Sequence, residues 1–369
     1  MKVGTLCYAT DQGLGILAKD FVDHGIVNAP IIIHHGHHHT HDEWYPGVPK
    51  ITSLRDPGQQ RILRDFCKSV DLMLFFETPF EWSLVDHCRV NKIKTVIMPM
   101  HECMPATDWA VPDAWLCPSL LDVRWAETRP RSAAGPEPRA HFLPVPIDVK
   151  KVPWRERTKA ETFVHNAGHG GLKGRNGAAE VIKAIKLVKS PAKFIVRSQG
   201  TIGGWEKELA DAFCDPTRAK YEKLANGNCV YNLDYNGKDV RVMIGTFPYE
   251  EIMAEGDVFV FPERFNGLSL PLQEAFASGM MIMCGNRFPM NTWLPNEPLI
   301  PVKGYQKNKV GPAYSEIEDA IFDPVDIAAT IDAWYGKDIT DYSRAGQLWA
   351  QRNSWEALAP KYLDFLSKV

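Results

Sequence analysis

The first half of the chain alternates short apolar runs with amphipathic segments. Apolar runs bounded by glycine, proline or polar residues predict buried strands, and apolar residues at helical spacing predict helices. The pattern predicts strands at 3–7, 30–33, 71–76 and 95–98, with helices at 16–24, 59–69 and 80–90 between them. Such alternation is typical of a parallel sheet with helices on both faces.

The second half repeats this pattern. It predicts strands at 162–166, 193–197 and 240–245, a helix at 178–188 and a longer helix at 205–225. The most informative stretch then follows, with a strand at 257–261, a polar loop at 263–269, a helix at 270–278 and an apolar run at 280–284. This order forms a βαβ unit whose loop lies at the carboxyl end of a strand, where open sheets bind ligands. The free N–H groups at the start of the helix favour a phosphate there.

Composition changes this picture little. A chain of 369 residues suits two domains, and its net charge of −3 provides no general attraction to nucleic acid or membranes. A local surplus of positive charge remains between residues 124 and 159, which contain nine Lys or Arg against four Asp or Glu. This surplus suits either steering of an anionic acceptor or a solvated surface. The eight scattered cysteines, the absence of a signal peptide pattern and the lack of a membrane-length apolar run together predict a cytoplasmic protein with reduced thiols.

A motif within the informative stretch carries a family resemblance. It reads Asn266-Gly267-Leu268-Ser269-Leu270-Pro271-Leu272-Gln273-Glu274-Ala275-Phe276-Ala277-Ser278-Gly279. This motif resembles the donor-site signature of retaining nucleotide-sugar glycosyltransferases with the GT-B fold, family 4 type. The resemblance implies an α/β fold of two Rossmann-like domains whose parallel sheets face each other across a cleft. It also implies an acceptor-side domain at 1–147, a nucleotide-sugar domain at 148–340 and C-terminal helices at 341–369 that cross back to the first domain.

The resemblance assigns roles within the motif. Glu274 falls on the glutamate that binds the ribose hydroxyls in the family. Asn266 falls on a second glutamate that touches the transferred sugar, so the usual carboxylate is replaced here, and nearby Glu263 is a candidate substitute. The donor loop is completed by Gly267, Leu268 and Ser269. A plain βαβ unit with its carboxylate on a solvated face is the alternative interpretation.

A glycine-rich basic loop at 167–177 is the second candidate element. Its glycines, including Gly171, expose backbone N–H groups, and Lys173 and Arg175 add positive charge that suits a diphosphate. The family uses an arginine and a lysine to stabilise the departing diphosphate, which implies catalytic roles for these two cations. Arg197, at the end of the following strand, is a further predicted donor contact. A solvated loop is the alternative.

The first half contributes three candidate elements, placed by the same resemblance. Gly13 and Gly15 follow the first strand, where the family has a loop near the donor phosphates or acceptor; a plain tight turn is the alternative. His101 ends the strand at 95–98, where the family has a histidine that reaches the transferred sugar; a hydrogen-bonded surface histidine is the alternative. Residues 34–43 carry six histidines, but their spacing matches no fixed metal site, so we expect a polar loop and no metal.

The predicted function is transfer of a hexosyl or pentosyl group from a UDP- or GDP-sugar to an acceptor hydroxyl. The resemblance implies retention at the anomeric carbon, with no metal and no cofactor. The acceptor stays open between a saccharide or glycoconjugate and hydroxymethylated DNA. The alternatives are a nucleotide-sugar-binding protein without transferase activity and an epimerase of the same fold. No oligomeric state is predicted.

Overall fold

The computed structural model describes residues 1–34, 40–107, 110–128, 139–168, 174–199, 220–235, 237–294 and 298–369. The chain divides into two compact units. Unit 1 comprises Met1–Pro146, Lys309–Glu316 and Trp355–Val369, and unit 2 comprises Ile147–Asn308 and Ile317–Ser354.

Unit 1 is built on a parallel sheet. Its strands are β1 (Val3–Cys7), β2 (Ala29–Ile33), β3 (Lys50–Ile51), β4 (Leu72–Glu77), β5 (Lys94–Pro99), β6 (Ala114–Cys117) and β7 (Arg139–Phe142), in the order β3-β2-β1-β4-β5-β6-β7. Between them lie α1 (Gly13–Asp23), α2 (Pro57–Cys67), α3 (Ser83–Val90) and α4 (Leu120–Glu127). The four strands predicted in the first half are confirmed. All residues of β1 are buried, as expected for a parallel strand covered on both faces.

Unit 2 is built on a second, mixed sheet. Its strands are β8 (Thr162–Gly168), β9 (Lys193–Ser198), β10 (Lys220–Lys223), β11 (Cys229–Tyr235), β12 (Lys238–Ile244), β13 (Val258–Phe261) and β14 (Met281–Cys284), in the order β10-β11-β12-β9-β8-β13-β14. The pairs from β12 to β14 are parallel, and β10, β11 and β12 pair antiparallel. The helices are α5 (Ala178–Leu187), α6 (Tyr249–Ala254), α7 (Leu270–Ala277), α8 (Pro324–Trp334) and α9 (Thr340–Arg352).

One prediction in this half is partly wrong. Residues 220–223, expected near the end of a long helix, form β10, and residues 205–219 of that predicted helix lie outside the described residues. The pairs Glu222 with Val230 and Lys223 with Cys229 show the reason, since β10 and β11 form an antiparallel hairpin whose cross-strand pairing helical spacing does not reveal.

The last elements complete each unit. The antiparallel strands β15 (Gly304–Asn308) and β16 (Ile317–Ile321) form a hairpin, and α10 (Trp355–Ser367) packs Trp355 and Tyr362 edge-on against Phe21 of α1. In the part of the chain that the structure describes, no helix has the length and apolar character needed to cross a membrane. The cysteines of that part are free thiols.

Candidate functional site

The sheet of unit 2 has its topological switch point between β8 and β13. The first strand of this unit, β8, has β9 on one side and β13 on the other, so the connections on its two sides run in opposite directions. The pairs Phe163 with Val258 and Val164 with Phe259 join the strands, and beyond them the imidazole Nδ1 of His165 donates to the carbonyl of Val260 at 2.9 Å. Ligands of open α/β sheets bind outside the carboxyl ends at such a point.

Two loops meet at this carboxyl edge. Gly177 adopts a left-handed φ of 77°, and a Cβ added there would lie 2.5 Å from the carbonyl oxygen of Pro262. The backbone N–H of Arg264 donates to the carbonyl of Arg175 at 2.8 Å. The structure therefore brings the end of the glycine-rich loop against the loop that follows β13. Glycine at 177 is required both by its φ and by this close approach.

The loop after β13 contains a buried polar network. The amide Nδ2 of Asn266 donates to Glu263 Oε1 at 2.9 Å, and the N–H of Leu268 donates to Asn266 Oδ1 at 3.1 Å. Arg287, three residues beyond β14, donates through Nε to the carbonyl of Glu263 at 2.7 Å and through Nη2 to the carbonyl of Asn266 at 2.9 Å. Its Nη2 also lies 3.4 Å from Glu263 Oε2. Arg287 thus fixes both ends of the turn that carries Asn266.

Two opposing effects act on the pKa of Glu263 in this network. Burial raises the pKa of Glu263, and the cationic Arg287 and Arg175 together with the hydrogen bond from Asn266 act in the opposite direction, with burial the larger effect. Glu263 and Arg287 are 2% and 4% exposed. A carboxylate in this position is held by its partners and its burial, which suits positioning of the loop better than exposure to a ligand.

The helix α7 begins directly after this turn. Ser269, its N-cap, has a left-handed φ of 46°, and Pro271 occupies the first turn, where its missing N–H costs no intrahelical bond. The start of α7 therefore lies at the carboxyl edge of the sheet beside Gly267 and Leu268. Glu274 lies one turn further along α7 and is partly exposed between buried Gln273 and Ala275.

Arg197 lies apart from that network. It is buried near the end of β9, donates from Nη1 to the carbonyl of Ile252 at 2.6 Å, and its Nη2 lies 3.6 Å from Glu255 Oε2. Burial, followed by Arg241, lowers the pKa of Arg197 to about 10, while Glu255 opposes the change. Its Nε has no hydrogen-bond partner among the described residues. Gly171 and Lys173 lie outside the described residues.

In unit 1, the predicted residues lie near the carboxyl ends of β1 and β5. Gly13 begins α1, and a Cβ at Gly15 would overlap the carbonyl oxygen of Thr10, so close packing alone accounts for glycine there. Of the histidine-rich loop, 35–39 lie outside the described part. His41 contacts carboxylate oxygens of Asp11 and Glu43, each at 2.8 Å.

His101 belongs to a buried cluster rather than the open surface. Its Nδ1 lies 3.0 Å from Glu102 Oε2 and 3.3 Å from Asp122 Oδ1, and the hydroxyl of Ser119 donates to the second oxygen of Asp122. Burial lowers the pKa of His101, but the charges and hydrogen bonds of the two carboxylates outweigh it and raise that pKa to about 9. Within the described ranges, this is the one group of three His, Cys, Asp or Glu side chains close enough to share a metal ion.

The fold is shared with solved structures. HepE from Anabaena, in complex with UDP and glucose, matches with a TM-score of 0.65 and 11% identity over 100% of both chains. The lipopolysaccharide outer core galactosyltransferase WaaB matches with a TM-score of 0.62 and 11% identity over 100% of both chains. Sucrose-phosphate synthase from Thermosynechococcus elongatus matches with a TM-score of 0.61 and 12% identity over 100% of this chain and 98% of that one.

These structures have the GT-B fold of glycosyltransferases, with two Rossmann-like domains, and the predicted fold is therefore confirmed for this chain. No protein-family model and no curated protein sequence matches the chain.

Proposed function

We propose that the chain is a glycosyltransferase that moves a sugar from a nucleotide-diphosphate donor to an acceptor hydroxyl. The observation that carries this proposal is the meeting of the Arg175 and Asn266 loops at the switch point of unit 2, beside the start of α7. Its support is the shared fold, since HepE was solved with UDP and with UDP-glucose. A UDP-sugar is accordingly the first donor to test.

The donor diphosphate would be neutralised by protein groups. Arg175 and Lys173 supply positive charge, and the free N–H groups at the start of α7 supply donors and the positive end of a helix dipole. Backbone at Gly171, Gly267, Leu268 and Ser269 would line the same phosphates. These groups stabilise negative charge on the leaving diphosphate, which is the role a metal ion serves elsewhere, so we propose transfer without a metal.

The sugar and nucleoside would be held by residues of the motif. Glu274 would bind the ribose hydroxyls, because a carboxylate accepts two hydrogen bonds from vicinal hydroxyls. Among the described residues, the bonds of the Asn266 side chain use one N–H of its amide, so the second N–H is the group it can offer to a sugar hydroxyl. His101 is retained as a candidate contact to the transferred sugar.

The retention proposal also involves Glu263. Its carboxylate is held by Asn266 and Arg287, which favours positioning of the loop over attack on an anomeric carbon. We therefore propose front-face transfer in which the departing phosphate takes the acceptor proton, without a covalent glycosyl-enzyme intermediate. Arg197 would act by fixing the Ile252 carbonyl of α6 beside the nucleotide.

A donor panel tests the function. The protein is incubated with UDP- and GDP-sugars with and without EDTA, and nucleotide release and the anomeric configuration of the product are followed by NMR. We expect release of one nucleotide, retained configuration and no effect of EDTA. Glu274→Gln should lower kcat/KM for the donor by about tenfold or more, while Glu356→Gln, an exposed glutamate of α10, should leave it unchanged.

Other outcomes would contradict the proposal. An isomerised nucleotide-sugar would identify an epimerase, and tight donor binding without nucleotide release on any acceptor would identify a binding protein. Equal kinetics of Glu274→Gln and wild type would remove Glu274 from the donor site.

A further inference from the structure

Unit 1 has its own topological switch point, between β1 and β4. The order β3-β2-β1-β4-β5 reverses direction there, so the carboxyl ends of β1 and β4 frame the position where an open α/β sheet binds a ligand. Tyr8 directly follows β1, and Glu77 is the last residue of β4. Both side chains are partly buried.

The backbone after β4 is strained at this position. Glu77 has a φ of 63° and Phe80 a φ of 59°, and both are left-handed although neither is glycine or asparagine. Such a conformation costs about 1–3 kcal/mol per residue and is concentrated at ligand sites, where it aims a side chain. The ring of Tyr8 packs edge-on against Phe80, with centroids 4.9 Å apart. The strained turn therefore holds Glu77 and Tyr8 at one edge of the sheet.

A third side chain comes from a distant part of the chain. The 311–315 loop of unit 1 pairs with the segment that follows β5, since Ser315 N–H donates to the Met104 carbonyl at 2.9 Å and Ala106 N–H to the Ala313 carbonyl at 3.0 Å. Tyr314 lies in this loop and forms a bridge pair with Pro105.

Besides burial, the charge of Glu77 raises the pKa of both tyrosines. Burial, then the charge of Glu77, then Tyr314 raise the pKa of Tyr8 to about 12. Burial, followed by Cys103 and Glu77, also raises the pKa of Tyr314. Both phenols therefore keep their O–H donors at neutral pH beside a carboxylate acceptor.

We propose that Glu77, Tyr8 and Tyr314 bind the acceptor, and that this acceptor is an uncharged saccharide rather than nucleic acid. This inference rests on the proposed function, since a transferase needs a second substrate. A carboxylate accepts hydrogen bonds from neighbouring sugar hydroxyls, and a phenol donates one while its ring covers an apolar sugar face.

The charges at this edge oppose a nucleic acid. Near this edge, Glu102, which follows β5, and Asp122 of α4 both contact His101, so its positive charge is balanced by two carboxylates. Duplex DNA binds through cations that neutralise its phosphates, and a carboxylate beside the acceptor repels it.

The test compares two substitutions at one strained residue. Glu77→Gln keeps the left-handed backbone and removes the charge, whereas Glu77→Gly removes the side chain and relieves the strain. We expect both to lower kcat/KM for a neutral oligosaccharide acceptor by about tenfold or more, with an unchanged UDP Kd. Glu77→Gly should also raise Tm. The control is Lys92→Gly, an exposed residue with a φ of 60°, which should raise Tm and leave transfer unchanged.

A second measurement is independent of transfer. Binding of a panel of neutral oligosaccharides ending in glucose, galactose or mannose is followed by ligand-observed NMR, with hydroxymethylated duplex DNA as the competing probe. Saccharide binding by wild type that weakens in Glu77→Gln and Tyr314→Phe supports the proposal, even if no nucleotide is released and the proposed function fails. Absence of saccharide binding, equal saccharide binding by Glu77→Gln, or displacement of the saccharide from the wild-type protein by the DNA probe would overturn it.

Discussion

Arg287 holds Glu263 by two kinds of contact, an N–H donated to its backbone carbonyl at 2.7 Å and an ion pair to its carboxylate at 3.4 Å. A lysine at this position keeps the charge but loses the planar fork that also reaches the carbonyl of Asn266. We therefore expect Arg287→Lys to displace the turn and lower kcat/KM for the nucleotide-sugar by about tenfold, because small misplacements at a reacting centre reduce rates strongly.

The control is Arg344→Lys, because Arg344 is an exposed arginine whose ion-pair partner is Glu156 at 3.0 Å. It should retain wild-type kinetics. Wild-type donor kinetics for Arg287→Lys, measured by nucleotide release in a folded protein, would show that the turn does not depend on this fork.

The close approach of Gly177 to Pro262 gives a second prediction. Gly177→Ala adds left-handed strain and places a Cβ 2.5 Å from a carbonyl oxygen, so the two loops must separate. We expect a stability loss of roughly 2–4 kcal/mol in urea unfolding and weaker UDP binding in calorimetry.

Gly336→Ala isolates the effect of the contact. Gly336 has a φ of 76°, nearly that of Gly177, and a Cβ there would meet no atom within 4 Å. This variant should lose only about 1–2 kcal/mol and bind UDP normally. Equal effects of the two substitutions would show that backbone strain alone is responsible.

The sequence predicted the parallel core of both sheets because buried parallel strands are short, continuous apolar runs. It did not predict β10 and β11, which pair antiparallel with their neighbours in the chain in a segment whose apolar spacing also fits a helix. The motif predicted the Asn266 turn and α7, but not what holds the turn. Arg287 lies three residues beyond the predicted run at 280–284, and a cation just past a strand end is the sequence signal that could have identified it.

The replacement at Asn266 shows another limit of the sequence. Glu263 is a candidate for the missing carboxylate, and the structure shows that its Oε1 accepts a hydrogen bond from the Asn266 amide. The orientation of a buried amide depends on the residues that lie near it in the fold, and sequence spacing does not predict that orientation. The position of Tyr314 in unit 1 is likewise fixed by a long-range pair with Pro105.

A third prediction concerns Arg157, a buried arginine of unit 2. It donates to the carbonyls of Gly256 at 2.7 Å and Met253 at 2.8 Å, and to that of Ser278, so it caps the C-terminal ends of α6 and α7. Burial, followed by Arg155, lowers its pKa to about 10, which leaves it charged at neutral pH. Arg157→Met leaves these carbonyls without a donor and should lower the free energy of unfolding by about 3–5 kcal/mol.

Arg157→Lys tests the geometry of that cap. Its ammonium can reach fewer of the carbonyls, so we expect an intermediate loss in urea unfolding. A loss below about 1 kcal/mol for Arg157→Met would show that water replaces the guanidinium at both helix ends.

The last prediction is a pH dependence that originates at His165. Its Nδ1 donates to Val260, its Nε2 has no partner among the described residues, and burial lowers its pKa to about 4 while the bond to Val260 opposes the change. Below about pH 6.5 the unfolded chain binds a proton that the folded chain excludes until about pH 4. The free energy of unfolding should therefore fall as the pH is lowered from about 6.5 to about 4, by roughly 3 kcal/mol in total.

His165→Asn keeps a donor for Val260 but cannot titrate, so the slope of unfolding free energy against pH should flatten. His24→Asn, at an exposed histidine, should keep the wild-type slope. An unchanged slope in His165→Asn would assign the acid sensitivity to other groups.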